Sequence, residues 1–335
     1  MGSQSLAQTV FEDAVFEHYR GYLRRNDPQK LRSQSRTDDS RGIGDILKRY
    51  PATAPLSDEL AAVIRGFRDV ECLLADYSSD IARIVRHEPA QVQFTMFWTG
   101  EEAIHGFALD EVLIAYGANT PREVRDDKAR LLTTCKWDPS KVDVRFLDPW
   151  YGPMCYVTLQ EKVTGNGYRW LRRSAEREGH IGLAKICQRL AEEEFRHHGF
   201  YYGMAKLALS YQPDKLKRQM TEVVTDFAMP GRYAIPFQQA ETATPDNPLP
   251  SALPAYDEWT KTAQRLGIVP DPLFAVPLAA RLRRKSEVLR LDEHTIEGQR
   301  VACWNEHVAS VLQILKGLGI ELPRELRYLA PIPVA

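Results

Sequence analysis

Two stretches place a glutamate three residues before a histidine: WTGEEAIHGFALDEV, with Glu102 and His105, and RLAEEEFRHHGFYYG, with Glu194 and His197. On an α-helix, residues three apart differ by about 60° around the axis and about 4.5 Å along it, so both side chains converge on one point. Carboxylate oxygen with imidazole nitrogen is a ligand set suited to iron or manganese rather than to thiophilic metals. Two more glutamates, Glu71 and Glu161, lie 31 residues before Glu102 and 33 before Glu194. Four carboxylates carry four negative charges and two divalent ions carry four positive ones. A buried cluster of this kind is neutral only when metal fills it, and otherwise takes up protons.

With 24 glutamates and 8 histidines in the chain, chance supplies roughly half of one Glu-x-x-His pair at this helical spacing. Two pairs, each preceded at nearly equal distance by a glutamate on an apolar stripe, are a repeat: helix with Glu, connection, helix with Glu-x-x-His. The pattern matches one known in di-iron and di-manganese helical bundles. Neighbouring Glu101, Glu192 and Glu193 are expected to face outward or to support the ligands from outside. His198 points about 100° away from His197 and is expected to pack or hydrogen-bond rather than ligate.

The elements that must position these residues read as helices. One stripe runs Ile64, Phe67, Glu71, Leu74, Ser78, Ile81 and a second Phe94, Trp98, Glu102, His105, Leu109, Val112. A third runs Met154, Val157, Glu161, Thr164, Tyr168, Leu171, and a fourth Leu183, Cys187, Leu190, Glu194, His197, Tyr201, Met204. Each recurs at intervals of three and four, so four helices carry acids on faces that should be buried. Ser57 is the expected cap at the start of the first.

Residues 1–57 form a polar segment with one amphipathic stretch around Val10–Leu23. Residues 58–237 form the bundle. A proline-rich linker (241–254) then leads to helical patterns around Tyr256–Leu266, Phe274–Leu291 and Glu293–Gly319. The best strand signal, KVDVRFL at 141–147, is short. The expected fold class is therefore all-α.

Composition narrows the function classes. A chain of 335 residues with 44% hydrophobic and 27% charged residues has ample material for a globular core. A net charge of −1 indicates neither bulk nucleic-acid nor bulk membrane affinity. Five scattered cysteines (Cys72, Cys135, Cys155, Cys187, Cys303) without a CxxC pair fit reduced thiols. The N-terminus lacks the apolar region of a signal peptide and no run of eighteen apolar residues occurs. The expected location is cytoplasmic.

The motifs carry a specific resemblance. WTGEEAIHG is similar to the WTAEENRHG motif of soluble acyl-carrier-protein desaturases, AEEEFRHH to their ADEKRHE, and YVTLQEKVT to their YTSFQERAT. FAMPGRYAIPF (227–237) resembles the MPG…PEF segment that follows the bundle in bacterial members. The likeness runs in order over about residues 60–237. It implies a ferritin-like four-helix bundle with additional helices and a non-haem site of two iron ions that uses O₂. Glu71 and Glu161 would be single carboxylate ligands, with Glu102 and His105, and Glu194 and His197, as the paired ones. Thr164, one turn after Glu161, occupies the family's threonine position beside the oxygen-binding face. As an ordinary helix threonine it would instead bond back to the carbonyl four residues earlier.

The chain departs from the family where Ile104 replaces an arginine and Glu193 an aspartate. The tryptophan that plant members carry ahead of the bundle has no counterpart, since the first here is Trp98.

The resemblance implies a desaturase that removes two hydrogens from an acyl chain carried as a thioester. A hydroxylase using the same site is the alternative. It also implies an acyl-carrier protein as partner, an electron donor such as ferredoxin, and a homodimer. Arg172, Arg173, Arg281, Arg283, Arg284 and Lys285 are candidate docking charges for an acidic partner, or else a solvated helix face. Iron storage does not need so long a chain. A ribonucleotide-reductase radical subunit would want an aspartate in place of Glu71 and a tyrosine beside the metals, for which Tyr168 or Tyr201 would serve. A catalytically dead relative is at odds with six filled ligand positions, and the HxxxH boxes of membrane desaturases are absent.

Overall fold

A computed structural model describes residues 6–25, 42–134, 151–226, 261–262 and 265–268. Among them are nine helices and no strand: α1 (Leu6–Arg25), α2 (Ile43–Arg49), α3 (Asp58–Cys72), α4 (Leu74–Ile84), α5 (Pro89–Ala115), α6 (Pro121–Thr134), α7 (Gly152–Arg177), α8 (Ile181–Tyr211) and α9 (Pro213–Asp226). The strand signal at 141–147, the 227–237 segment, Cys135, Cys303 and the basic residues at 281–285 lie outside the described residues. So does most of the C-terminal helical region.

Local signals set the boundaries of the bundle helices. The Ser57 side chain accepts the Leu60 amide at 3.2 Å, the cap its position predicts, and its hydroxyl reaches Glu178 at 3.0 Å, tying the start of α3 to the α7–α8 turn. At α5, Glu88 accepts the amides of Ala90 and Gln91, while Pro89 fills the first position, where no amide is needed. The turn between α7 and α8 is three residues long and passes through Gly179 at φ +80°, a conformation that favours glycine. So short a turn makes α7 and α8 an antiparallel hairpin.

The stripe from Ile64 to Ile81 is interrupted at Leu73, which separates α3 from α4 directly after Glu71 and Cys72. The Leu73 amide bonds Val70 three residues back, a tighter turn than the α-helix makes.

The two halves of the repeat are α3–α4 with α5, and α7 with α8. They enclose two apolar cores with the acidic layer between them. One core gathers Leu74, Tyr77, Ile81, Phe94, Trp98, Met154, Val157, Tyr201 and Met204. The other gathers Leu60, Ile64, Leu109, Val112, Tyr168, Leu171, Leu183 and Leu190. Helices α5, α7 and α8 each run from one core to the other, as α3 and α4 do together, and the ligand-type glutamates fall at the crossings.

The first core also takes Phe11, Val15, Tyr19 and Tyr22 from α1. That helix lies so close to α8 that a Cβ on Gly203 would run into the His18 ring. His18 Nε2 meets the Phe200 carbonyl at 2.9 Å. No helix among the described residues is long and apolar enough to cross a membrane.

Candidate metal centre

Glu71 is the last residue but one of α3, Glu102 and His105 lie in mid-α5, Glu161 in α7, and Glu194 and His197 in α8. All six are buried, none more than 5% exposed. Close approach of α3 to α5 needs Gly106, where an added Cβ would sit 3.1 Å from the Glu71 Cβ.

Two groups of four have ligand atoms within 4.8 Å of one another: Glu71, Glu102, His105 and Glu194, and Glu102, Glu161, Glu194 and His197. Glu102 and Glu194 belong to both groups, so they stand where carboxylates bridging two ions would stand. Each histidine turns Nδ1 inward. His105 Nδ1 is 3.1 Å from Glu102 and 3.2 Å from Glu194. His197 Nδ1 is 2.9 Å from Glu102, 3.1 Å from Glu161 and 3.5 Å from Glu194. His105 Nδ1, one Glu102 oxygen and both Glu194 oxygens are buried with no well-aligned hydrogen bond, facing one another and His197 Nδ1. Buried polar atoms of this kind are costly unless something else satisfies them. A pair of divalent cations fits that donor set.

The outward nitrogens are held crosswise. His105 Nε2, on α5, meets Glu193 of α8 at 3.0 Å, and His197 Nε2, on α8, meets Glu101 of α5 at 2.7 Å. Arg196 links the two carboxylates, 3.4 Å from Glu101 and 3.7 Å from Glu193, while Arg189 reaches Glu193 at 3.1 Å. Tyr22 of α1 lies near Arg196. Such outer partners fix which nitrogen carries the proton and leave the other free for a metal. Inside, the Tyr168 hydroxyl donates to Glu71 Oε1 at 3.0 Å.

Electrostatics show how the metal-free cluster balances its charge. Burial, then the charges of Glu102 and Glu194, push the Glu71 and Glu161 carboxyls well above the usual range. Burial alone would lower both imidazoles, but the surrounding carboxylates outweigh it and hold His105 and His197 well above their usual value. Burial would raise Glu102 and Glu194 too, yet the two imidazolium rings keep them low. Glu193 is held down to about 2: its burial is outweighed by His105, Arg189 and Arg196. Without metal, these shifts favour protons on Glu71, Glu161, His105 and His197 over Glu102 and Glu194.

The remaining sequence-singled residues fall as follows. Thr164 lies on the buried stripe one turn from Glu161, and its hydroxyl donates to the Gln160 carbonyl at 3.1 Å. His198 Nδ1 meets the Thr158 carbonyl at 2.8 Å and is pulled down by burial to about 4, so it packs as a neutral ring. Glu192 faces solvent and pairs with Gln188. Arg172 is engaged by Glu176 at 2.8 Å, while Arg173 is exposed.

The crosswise use of Glu101 and Glu193 was legible only in part. Both repeats read Glu-Glu-x-x-His, and in each the first glutamate serves the other helix's histidine. Another buried charge cluster, Arg68 with Asp69, Asp110 and Asp127, and Lys128 with Asp110, joins α3, α5 and α6 and left no sequence signal.

Fold and site together define an all-α bundle protein whose core carries paired carboxylate–histidine clusters of metal-ligand type. The profile of the fatty acid desaturase family matches residues 54–303, about three quarters of the chain. The chain belongs to that family.

It is 26% identical over 272 residues to stearoyl-[acyl-carrier-protein] 9-desaturase 1, chloroplastic, of Arabidopsis thaliana, covering 78% of this chain and 64% of that protein. It is 27% identical over 237 residues to the seed-specific chloroplastic stearoyl-[acyl-carrier-protein] 9-desaturase of Brassica napus, covering 68% and 55%. Acyl-[acyl-carrier-protein] desaturase 3, chloroplastic, of Oryza sativa subsp. japonica is 29% identical over 140 residues, covering 42% and 33%. The chain spans less than two thirds of the length of these relatives.

Proposed function

We propose that this chain is an O₂-dependent non-haem di-iron oxidase that introduces a double bond into an acyl chain held as a thioester on an acyl-carrier protein. The observation that carries this reading is the pair of four-residue groups sharing Glu102 and Glu194. One ion would take Glu71 and His105 and the other Glu161 and His197, with the shared carboxylates between them. Two ferrous ions there would supply electrons to O₂ and so the oxidant that removing hydrogen from unactivated carbon requires.

The protein's own part is to hold and to exclude. Glu193 and Glu101 fix both histidines with Nδ1 inward. Tyr168 orients Glu71, and the two apolar cores keep water from both ends of the acidic layer. Thr164 lies on the face where the resemblance puts oxygen chemistry.

The reaction takes two hydrogens from the chain and two electrons from a donor of the ferredoxin class, reducing O₂ to two waters. The exposed Arg169 and Arg173 on α7 offer charge to an acidic carrier. A homodimer follows the family resemblance. On α5, Met96, Ile104 and Phe107 are about half exposed and give such pairing an apolar face. The described cysteines Cys72 and Cys187 form no disulfide, and a cytoplasmic location is part of the proposal.

The test is anaerobic loading with ferrous iron, followed by reductant, O₂ and a panel of acyl-carrier-protein thioesters. The readout is the intact mass of the acyl chain. Loss of two hydrogens is expected. Gain of one oxygen would move the chain to the hydroxylases, and an unchanged acyl chain despite iron oxidation would overturn the substrate class.

A further inference from the structure

Tyr168 is fully buried, and its hydroxyl donates to Glu71, a carboxylate of the cluster. Its ring lies edge-on to His105 at 6.0 Å between centroids and tilted against Phe67 at 5.1 Å. Tyr77 and Tyr201 are also buried near the cluster, but neither hydroxyl bonds a cluster carboxylate among the described residues. Beyond orienting Glu71, this placement meets what oxidation of a phenol demands. A phenol gives up an electron readily only if its proton can leave at the same time, and Glu71 Oε1 waits at 3.0 Å to take it. The surroundings are apolar residues of the second core, so an oxidised ring would be shielded from water and from dissolved reductants.

We propose that Tyr168 is redox-active: it gives one electron to the oxidised metal pair and its hydroxyl proton to Glu71, becoming a neutral tyrosyl radical when O₂ is consumed with no acyl substrate present. The inference rests on the di-iron reading above. In the step, the phenolic O–H bond breaks, the proton passes to the Glu71 carboxylate, and the electron reduces the metal pair by one. The four electrons that O₂ accepts are then two from the ferrous pair, one from a further ferrous ion in solution, and one from Tyr168. The residue would consume an oxidising equivalent that would otherwise attack the protein at random.

The test loads the full chain anaerobically with excess ferrous iron, adds O₂ without any thioester, and freezes samples for electron paramagnetic resonance. Iron content and iron oxidation are measured in parallel. The expected result is a free-radical signal that narrows when the tyrosine rings are deuterated. Scaled to the iron bound in each protein, it should be lost in Tyr168→Phe and kept in Tyr201→Phe.

Iron binding and oxidation without a tyrosine signal in the unaltered chain would overturn the role of Tyr168 and leave the metal site standing. A signal that persists in Tyr168→Phe, or vanishes only in Tyr201→Phe, would also overturn it. Failure of the unaltered chain to bind iron would bring down the di-iron reading and this inference together. If Tyr168→Phe does not fold, Tyr77→Phe and Tyr201→Phe decide by exclusion: a tyrosine signal kept in both supports Tyr168, and loss of the signal in either overturns it.

Discussion

The two halves of the centre contain the same ligand types and hold them differently. In the half built by α3 and α5, Glu71 sits one residue before a break between helices and takes a hydrogen bond from Tyr168. In the half built by α7 and α8, Glu161 lies inside an unbroken helix and meets His197 directly at 3.1 Å. Its helix carries Thr164 one turn on, the least closed member of that stripe at 9% exposure, against 1% or less for the others. Repetition of helix with Glu and helix with Glu-x-x-His accounts for the ligands. The asymmetry comes from single residues that the repeat does not share. A carboxylate at a helix break can change its orientation more readily than one locked in a helix, so under the proposed di-iron reading Glu71 is the more adaptable of the two.

The sharpest break in this comparison comes from the carboxylates that both halves share. Glu194→Ala removes a ligand from each group, and loss of both ions is expected. Glu71→Ala removes a ligand from one group only and should leave about one ion per chain, with the linkage of metal occupancy to deprotonated ligands as the physical basis. Metal analysis after equilibrium dialysis decides between them. Equal loss in the two variants would show that the halves do not fill separately.

Next in size is the effect of pH. The Glu71 and Glu161 carboxyls and the His105 and His197 imidazoles are all raised, so each favours its protonated form without metal. Glu102 and Glu194 are lowered and contribute none. Two ions must therefore displace up to about four protons, and iron affinity should fall steeply as pH is lowered. Calorimetry in buffers of different ionisation enthalpy counts the protons. Release near zero would mean that the metal-free cluster is already deprotonated.

A smaller effect separates the outer carboxylates. Glu193 is supported by two arginines and Glu101 by one, so Glu193→Gln should weaken iron binding more than Glu101→Gln. Both should fall within the roughly 10–100-fold range typical of partners that orient metal ligands. Equal losses would show that Arg189 adds nothing to the site.

Much of this site was legible before the fold. Nearly every residue of the four stripes is buried where its periodicity put it, with Phe67 only half so. The expected all-α class and the Ser57 cap also match the structure.

What the chain did not announce depends on how helices register against each other. Nothing in VECLLADY, which has neither glycine nor proline, marks the break at Leu73, so tertiary packing imposes it. Glu101 is adjacent to a ligand, but its reach to a histidine on another helix depends on the vertical alignment of α5 and α8. The amphipathic face of α1 was visible, while its berth against Phe200 and Gly203 was not. Periodicity reports which face is buried and is silent on what lies opposite.

The finest test concerns Thr164. Its bond to the Gln160 carbonyl is the same habit that Thr158 shows toward Met154 at 2.6 Å, and such a local bond contributes about 1 kcal/mol at most. Thr164→Val should therefore leave iron content unchanged and stability nearly so. Slower O₂ consumption per turnover in that variant would give the α7–α8 half an oxygen-handling residue to set against Tyr168 in the other. Unchanged turnover would make Thr164 a structural threonine. The functional difference between the halves would then rest on the phenol at Glu71 and on the helix break beside it.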